Sequence, residues 1–160
     1  MTDLYDGAVF DTLDDGFAHA GQIGFDTLVE RGRLAVDGLP AEFVYAGFSL
    51  GVMPAQMLAQ TRPGAAGALL VSARVPPSEF GGPWPLGGPV QIHAMDADPL
   101  LLADGDLDVA RELVATTAGA ELFLYPGDRH LFADDSLPAH DESAATLLGS
   151  RVIDFLDRLG

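Results

Sequence analysis

The sequence of 160 residues contains no cysteine and no lysine, so all eight of its basic residues are arginines. The absence of cysteine excludes disulfide bridges and thiolate metal sites. The sequence also has no apolar run long enough to cross a membrane, and its first residues do not resemble a secretory signal. A cytoplasmic location, with no membrane partner, is therefore the default expectation.

Positive charge is scarce, and the formal net charge is −16 at pH 7. Nucleic acids and anionic lipid surfaces are polyanions that repel such a protein, so neither is expected as a partner. Hydrophobic residues make up 48% of the sequence, which is typical of a globular protein with a sizeable core. We therefore expect a single domain over residues 1–160.

Short apolar runs alternate with helical patterns along most of the chain. The predicted strands are residues 43–46, 66–72, 90–95 and 121–125. The predicted helices are residues 52–60, 106–118 with Asp106 as the N-cap, and 141–159. Before the first strand, residues 11–16 have the composition of a turn, and a roughly helical pattern follows to about residue 33. Strands that alternate with helices predict a parallel α/β sheet flanked by helices.

The segment Gly47-Phe48-Ser49-Leu50-Gly51 matches the pattern G-x-S-x-G between a predicted strand and a predicted helix. In this context the pattern predicts a nucleophile elbow, a sharp turn that lifts one serine hydroxyl above the end of a parallel sheet. We expect a Cβ atom at either flanking glycine to clash, since the strained turn brings strand and helix close together. The alternative is a Gly–Ser turn without chemistry.

Three reactive side chains, Ser49, Asp98 and His130, each follow a predicted strand. The carboxyl ends of parallel strands gather at one edge of the sheet, and the order Ser, Asp, His is that of α/β hydrolases. An imidazole can take the serine proton, and a carboxylate fixes its tautomer. Asp96 is an alternative to Asp98, and either could cap a turn; Asp98 is favoured because it lies further into the loop. Taken alone, His130 could be an ordinary loop histidine.

The other histidines do not suggest a metal site. His93 lies mid-strand and is predicted to be a core residue, while His19 and His140 carry no signal beyond a surface position. No H-x-x-x-H spacing and no glycine-rich phosphate loop is present in the sequence, so we expect neither a metal nor a cofactor.

Five segments, spread along the sequence, resemble the dienelactone hydrolase family of α/β hydrolases, and the resemblance extends over nearly all of the chain. They are residues 3–7 (Asp-Leu-Tyr-Asp-Gly), the elbow 47–51, 84–85 (Trp-Pro), 89–94 with the following Asp98, and 130–133 (His-Leu-Phe-Ala). The resemblance implies Ser49 as nucleophile, His130 as base, Asp98 as its partner and the Leu50 N–H as an oxyanion donor. It also places Tyr5 near a substrate pocket, which we expect to include Phe48, Trp84 and Leu131 as well.

Two positions depart from that family's pattern. The family's nucleophile is a cysteine, and a serine suits ordinary carboxylic ester hydrolysis better than dienelactone hydrolysis. The arginine that commonly follows the catalytic histidine is replaced by Asp134, which removes a cation for a substrate carboxylate.

Family members also carry several strands and a helix before the segment that resembles residues 3–7. That region supplies the second oxyanion donor and a neighbour for the strand at 43–46, so we expect this strand to have an unpaired edge. Three hypotheses follow: the sequence begins at an internal methionine of a longer product, the chain forms a homodimer across that edge, or it is an inactive relative.

These observations predict a serine hydrolase that cleaves small carboxylic esters or lactones through an acyl-enzyme. The alternative is a catalytically inactive binding or interaction protein that keeps the α/β-hydrolase fold. The distance between the Ser49 hydroxyl and the His130 ring discriminates between the two hypotheses.

Overall fold

The computed structural model describes residues 2–85, 87–103 and 105–160. The chain divides into two compact units, one up to Pro40 and one over Ala41–Gly160. The described part of the chain has no helix that is long and apolar enough to cross a bilayer.

The first unit contains two helices, α1 (Leu13–Ile23) and α2 (Phe25–Leu34). The prediction of a turn over residues 11–16 was wrong from residue 13 onward. Thr12 caps α1 by accepting a hydrogen bond from the Asp15 N–H at 3.1 Å, and the acidic residues of the first turn suit a helix N-terminus. Gly24, with a φ of 89°, separates the two helices.

The second unit contains a four-stranded sheet whose strands are β1 (Val44–Phe48), β2 (Gly67–Val71), β3 (Val90–Met95) and β4 (Ala120–Tyr125). All neighbouring pairs are parallel and the strands lie in chain order, which confirms the predicted parallel α/β sheet. As expected for the strand before the elbow, β1 lies at an edge of this sheet; among the described residues it pairs with β2 alone.

Helices of the second unit cover both faces of the sheet. They are α3 (Val52–Thr61), α4 (Pro99–Ala103), α5 (Asp106–Thr116) and α6 (Glu142–Leu159). Met95 and Tyr125 pack with Leu148 of α6, whereas Ala94 packs with Leu101 of α4 and Leu107 of α5. Because successive strand residues point to opposite faces, these two clusters form the two halves of the core.

The predicted N-cap of α5 was wrong. Gly105, in the left-handed region at φ 75°, occupies the N-cap position, and α5 begins at Asp106. The Asp106 carboxylate instead accepts a hydrogen bond from the Arg74 N–H at 2.8 Å. The five-residue helix α4 was not predicted from the sequence.

His93 is fully buried in β3, as predicted for a core histidine. Gln91 Nε2 donates to Glu121, so Gln91 Oε1 faces His93 Nε2 at 3.1 Å and accepts a hydrogen bond from its N–H. His93 Nδ1 therefore accepts from the Tyr125 hydroxyl at 2.9 Å. Burial, followed by the nearby Arg151 cation, lowers the pKa of His93 from 6.5 to about 4.

This lowered pKa predicts acid sensitivity of the fold. The unfolded chain binds a proton at His93 near pH 6.5 whereas the folded chain does so near pH 4, so the contribution to stability is complete above pH 6.5 and lost toward pH 4. Between pH 7 and pH 4.5 we expect the free energy of unfolding of the wild type, measured with urea, to fall by about 2.5 kcal/mol more than that of His93→Gln. His140→Gln, which alters a partly exposed histidine, should keep the wild-type pH dependence. Equal pH slopes for wild type and His93→Gln would contradict the prediction.

Candidate active site

Ser49 lies in a sharp turn between β1 and α3. The strand ends at Phe48, one 3₁₀ turn spans Ser49–Gly51, and α3 begins at Val52. Ser49 has a φ of 49°, in the left-handed region that residues other than glycine rarely adopt. This conformation lifts its side chain above the carboxyl end of β1.

The two glycines of the elbow have different surroundings. A Cβ atom at Gly47 would lie 2.2 Å from the carbonyl oxygen of Gly51, which confirms the predicted clash at this position. The same prediction was wrong for Gly51, since nothing lies within 4 Å of a Cβ atom there and its φ is −64°. The close approach of strand and helix is therefore made at Gly47.

A continuous chain of hydrogen bonds joins Ser49, His130 and Asp98. His130 Nδ1 lies 2.7 Å from Asp98 Oδ2, and His130 Nε2 lies 2.7 Å from Ser49 Oγ. Because a carboxylate only accepts, Nδ1 carries the ring proton and Nε2 accepts from the serine hydroxyl. Asp98 is fully buried and the His130 side chain nearly so.

Asp98 and Asp96 have different partners although both follow β3. The second carboxylate oxygen of Asp98 accepts from the Leu100 N–H at 3.0 Å, which fixes the carboxylate as it faces His130. Asp96 instead accepts a hydrogen bond from the Gly127 N–H at 3.1 Å, which connects the loops that follow β3 and β4. The structure brings Asp98, and not Asp96, to the histidine.

Ser72, which sequence reasoning did not single out, also lies at this edge. It follows β2 directly and is buried, and its hydroxyl donates to the main-chain carbonyl of His130 at 2.5 Å. The signal that could have drawn attention to it is its position at the carboxyl end of the predicted strand 66–72, the edge to which Ser49 also belongs. Each of the four strands thus delivers one residue to the same cluster.

The other predicted site residues, which are the expected oxyanion donor and three expected pocket residues, lie in different places. Phe48 precedes Ser49 and is 53% exposed, Leu50 lies in the 3₁₀ turn, and Leu131 follows His130 and is half-buried. Trp84 is buried, and its indole N–H donates to the Gly88 carbonyl at 2.7 Å. Because Trp84 lines a pocket of about 240 Å³ with Gly67, which opens β2, it lies at the amino edge of the sheet. Its assignment to the substrate pocket stays a prediction, as do the assignments of Phe48 and Leu131 to that pocket and of the Leu50 N–H as oxyanion donor.

Tyr5 belongs to the first unit. Its hydroxyl donates to the Gly16 carbonyl at 2.9 Å, and its ring meets the rings of Phe10 and His19 edge-on. Burial raises the pKa of the Tyr5 hydroxyl. Its predicted role near a pocket also stays a prediction.

Asp134 keeps a negative charge four residues after His130. The Ser136 hydroxyl donates to its carboxylate at 2.6 Å and the Ser136 N–H at 3.0 Å, and these bonds lower the pKa of Asp134. Within residues 2–85, 87–103 and 105–160, no group of three or more histidine, aspartate or glutamate side chains is arranged to hold a metal ion.

The four-stranded parallel sheet, its flanking helices and the elbow serine define an α/β hydrolase fold. The model of the dienelactone hydrolase family matches residues 8–160. The chain therefore belongs to the dienelactone hydrolase family, which lies within the α/β hydrolase superfamily and indicates a hydrolase.

Solved structures agree with this fold, and eighteen chains match. One is the crystal structure of a protein titled a putative dienelactone hydrolase from Klebsiella pneumoniae subsp. pneumoniae MGH 78578, which is 19% identical and has a TM-score of 0.66. The match covers 95% of this chain and 71% of that chain. At this identity the likeness shows the fold. A search of curated proteins gave no match.

Proposed function

We propose that this chain is a serine hydrolase that cleaves small carboxylic esters or lactones through an acyl-enzyme. The observation that carries the proposal is the distance of 2.7 Å between Ser49 Oγ and His130 Nε2, with Asp98 on the other ring nitrogen. A serine hydroxyl is a poor nucleophile until a base removes its proton, and this arrangement provides the base and its orienting carboxylate. An inactive binding protein has no need of that arrangement.

The reaction proceeds in two halves. Ser49 Oγ attacks the carbonyl carbon of the ester while its proton passes to His130 Nε2, and the Leu50 N–H donates to the oxyanion. The tetrahedral intermediate then expels the alcohol oxygen, which takes the proton from Nε2, and the acyl group stays on Ser49. Water attacks this acyl-enzyme with His130 again as base, and collapse returns the proton to Ser49 and releases the carboxylate product.

Two features favour uncharged esters and lactones over anionic substrates. Asp134 carries a negative charge at the position where the family commonly has an arginine, and its lowered pKa keeps that charge at neutral pH. The formal net charge of −16 also disfavours the approach of anions.

The proposal is tested by mixing the chain with p-nitrophenyl acetate, with rapid quenching and intact-mass analysis. We expect steady hydrolysis and a mass gain of one acetyl group that maps to Ser49. Ser150→Ala, which removes an exposed hydroxyl on α6, should behave as the wild type. A folded wild type that hydrolyses no faster than Ser49→Ala would contradict the proposal and favour the binding protein.

Replacing Asp98 and Asp96 in turn should show which of these two aspartates after β3 supports catalysis. In Asp98→Asn the amide can donate to Nδ1 and so favours the wrong tautomer of His130, and we expect kcat to fall on the order of 10⁴-fold, as in other Ser–His–Asp enzymes. Asp96→Asn changes the same functional group two residues away, and its kcat should stay within a few-fold of the wild type. Equal losses in the two variants, measured on the same ester, would refute the role of Asp98.

A further inference from the structure

Ser72 has an unusual backbone for its residue type. Its φ is 62°, again in the left-handed region, although it is buried and is not a glycine. In the pairing of β1 with β2, Phe48 lies opposite Val71, so Ser49 and Ser72 are the next residues on the two neighbouring strands. Each of two adjacent strands is therefore followed directly by a serine whose φ is positive.

The two hydroxyls act on different parts of one residue. Ser49 contacts the His130 ring at Nε2, whereas Ser72 donates to the His130 main-chain carbonyl across 58 residues of sequence. The carbonyl is thereby satisfied inside the protein, and its position is fixed relative to the end of β2. Asp98 holds the remaining ring nitrogen, so His130 is held at three points by residues after β1, β2 and β3.

The sheet order explains why His130 needs a backbone anchor. His130 follows β4, and Ser49 follows β1 at the opposite edge of the sheet. The axes of these two strands lie three strand spacings, or about 14 Å, apart. The loop after β4 must therefore cross the ends of β3 and β2 before the ring can reach Ser49. Ser72 stands at the end of β2, beside the strand that bears Ser49.

We propose that Ser72 is a positioning residue that fixes the main chain at His130 so that Nε2 stays within hydrogen-bond distance of Ser49. As far as turnover is concerned, this inference rests on the proposed function. A displacement of the base by about 1 Å can cost on the order of 100-fold in rate. Loss of one hydrogen bond that fixes the loop at His130 is therefore expected to lower kcat.

The variants Ser72→Gly and Ser72→Ala separate the hydroxyl from the backbone strain. Glycine removes the hydroxyl and also the backbone strain, because it adopts a positive φ without a steric cost. Alanine removes the hydroxyl and keeps the strain. We expect Ser72→Gly to melt at a higher temperature than Ser72→Ala. Both should lose about 10- to 100-fold in kcat per fluorophosphonate-titrated site, with KM within about twofold of the wild type. Ser150→Ala, which removes a hydroxyl-to-carbonyl bond on α6, should leave kcat unchanged.

A second measurement does not depend on activity. The carbon-bound ring protons of His130, assigned by comparison with His130→Gln, should give one sharp set of carbon–proton correlation signals in the wild type. In Ser72→Gly these signals should shift and broaden, while those of Ser150→Ala match the wild type.

The two measurements distinguish failure of this inference from failure of the proposed function. A wild type that hydrolyses no ester but whose His130 signals respond to Ser72→Gly would refute the function and retain the positioning role. Unchanged His130 signals in Ser72→Gly would overturn the inference whatever the turnover. Unchanged kcat per site in Ser72→Gly, with an active wild type, would overturn it as well.

Discussion

Ser49→Ala should form no covalent adduct with a fluorophosphonate probe, whereas the wild type should gain one probe group per chain. The probe reacts with serines whose proton a base removes during attack, and His130 Nε2 lies 2.7 Å from the Ser49 hydroxyl. Ester turnover in Ser49→Ala should fall by about 10⁴- to 10⁶-fold, because loss of the nucleophile leaves only the oxyanion donor and substrate binding.

His130→Ala tests the same chemistry from the side of the base. Ser49 is then still present, so the adduct should form at the same residue but far more slowly. Ser136→Ala serves as a matched control, because the Ser136 hydroxyl donates at 2.6 Å to the Asp134 carboxylate and not to a histidine. Its labelling rate should equal that of the wild type.

Intact-mass analysis of the four proteins decides between the outcomes. An adduct that persists in Ser49→Ala would assign the reactive group elsewhere. A folded wild type without any adduct would mean that Ser49 is not activated, despite its hydrogen bond to His130.

Gly47→Ala should destabilise the fold by about 3 kcal/mol or more, because a new methyl group would overlap backbone atoms that cannot move independently. The added Cβ would lie 2.2 Å from the Gly51 carbonyl oxygen and 2.6 Å from the Val52 nitrogen. Relief of that contact requires α3 to move away from β1, and α3 packs against both β1 and β2. The fluorophosphonate reaction should therefore weaken together with stability.

Gly51→Ala is the matched control within the same motif. Its φ of −64° suits any residue, and nothing lies within 4 Å of the new methyl group. We expect its free energy of unfolding to stay within about 1 kcal/mol of the wild type, since alanine restricts the unfolded chain more than glycine does. Urea denaturation of both variants checks the contrast, and equal losses would refute it.

Strands with apolar residues on both faces were predicted accurately from the sequence. β3 has the predicted bounds, β2 is shorter than its prediction by one residue at each end, and β4 begins one residue earlier than predicted. Strands buried on both faces give continuous apolar runs, and neighbouring turn residues mark their ends. β1 extends two residues beyond its prediction, to Phe48, because the glycine that opens the G-x-S-x-G pattern is itself part of the strand.

Features set by contacts between distant residues were not predictable in this way. Asp106 is of a residue type that commonly caps helices, but its carboxylate accepts a hydrogen bond from the Arg74 N–H, 32 residues earlier in the chain. Gly47 and Gly51 hold equivalent flanking positions in the sequence pattern. Only the structure shows that a Cβ atom at Gly47 would meet the backbone where α3 starts, whereas a Cβ atom at Gly51 would meet nothing. The contact of Ser72 with His130 could not be predicted because its partner is a main-chain carbonyl, which any residue carries.

The cluster of Ser49, Asp98 and His130 was proposed from chain order and strand ends. The structure brings these three together because all three follow strands of one parallel sheet. The preference for Asp98 over Asp96 rested on its depth in the loop, and the hydrogen bond from Gly127 gives the physical reason that Asp96 is engaged elsewhere.

The identity of strand order and chain order also has a consequence for biosynthesis. Ser49 emerges from the ribosome 81 residues before His130, and the strands that carry them form the two edges of the sheet. A nascent chain with three strands in place therefore has Ser49 but not His130, so the proposed nucleophile still lacks its proposed base. The proposed reactivity begins only after β4 has joined the sheet and His130 has reached Ser49, so it reports that all four strands are in place.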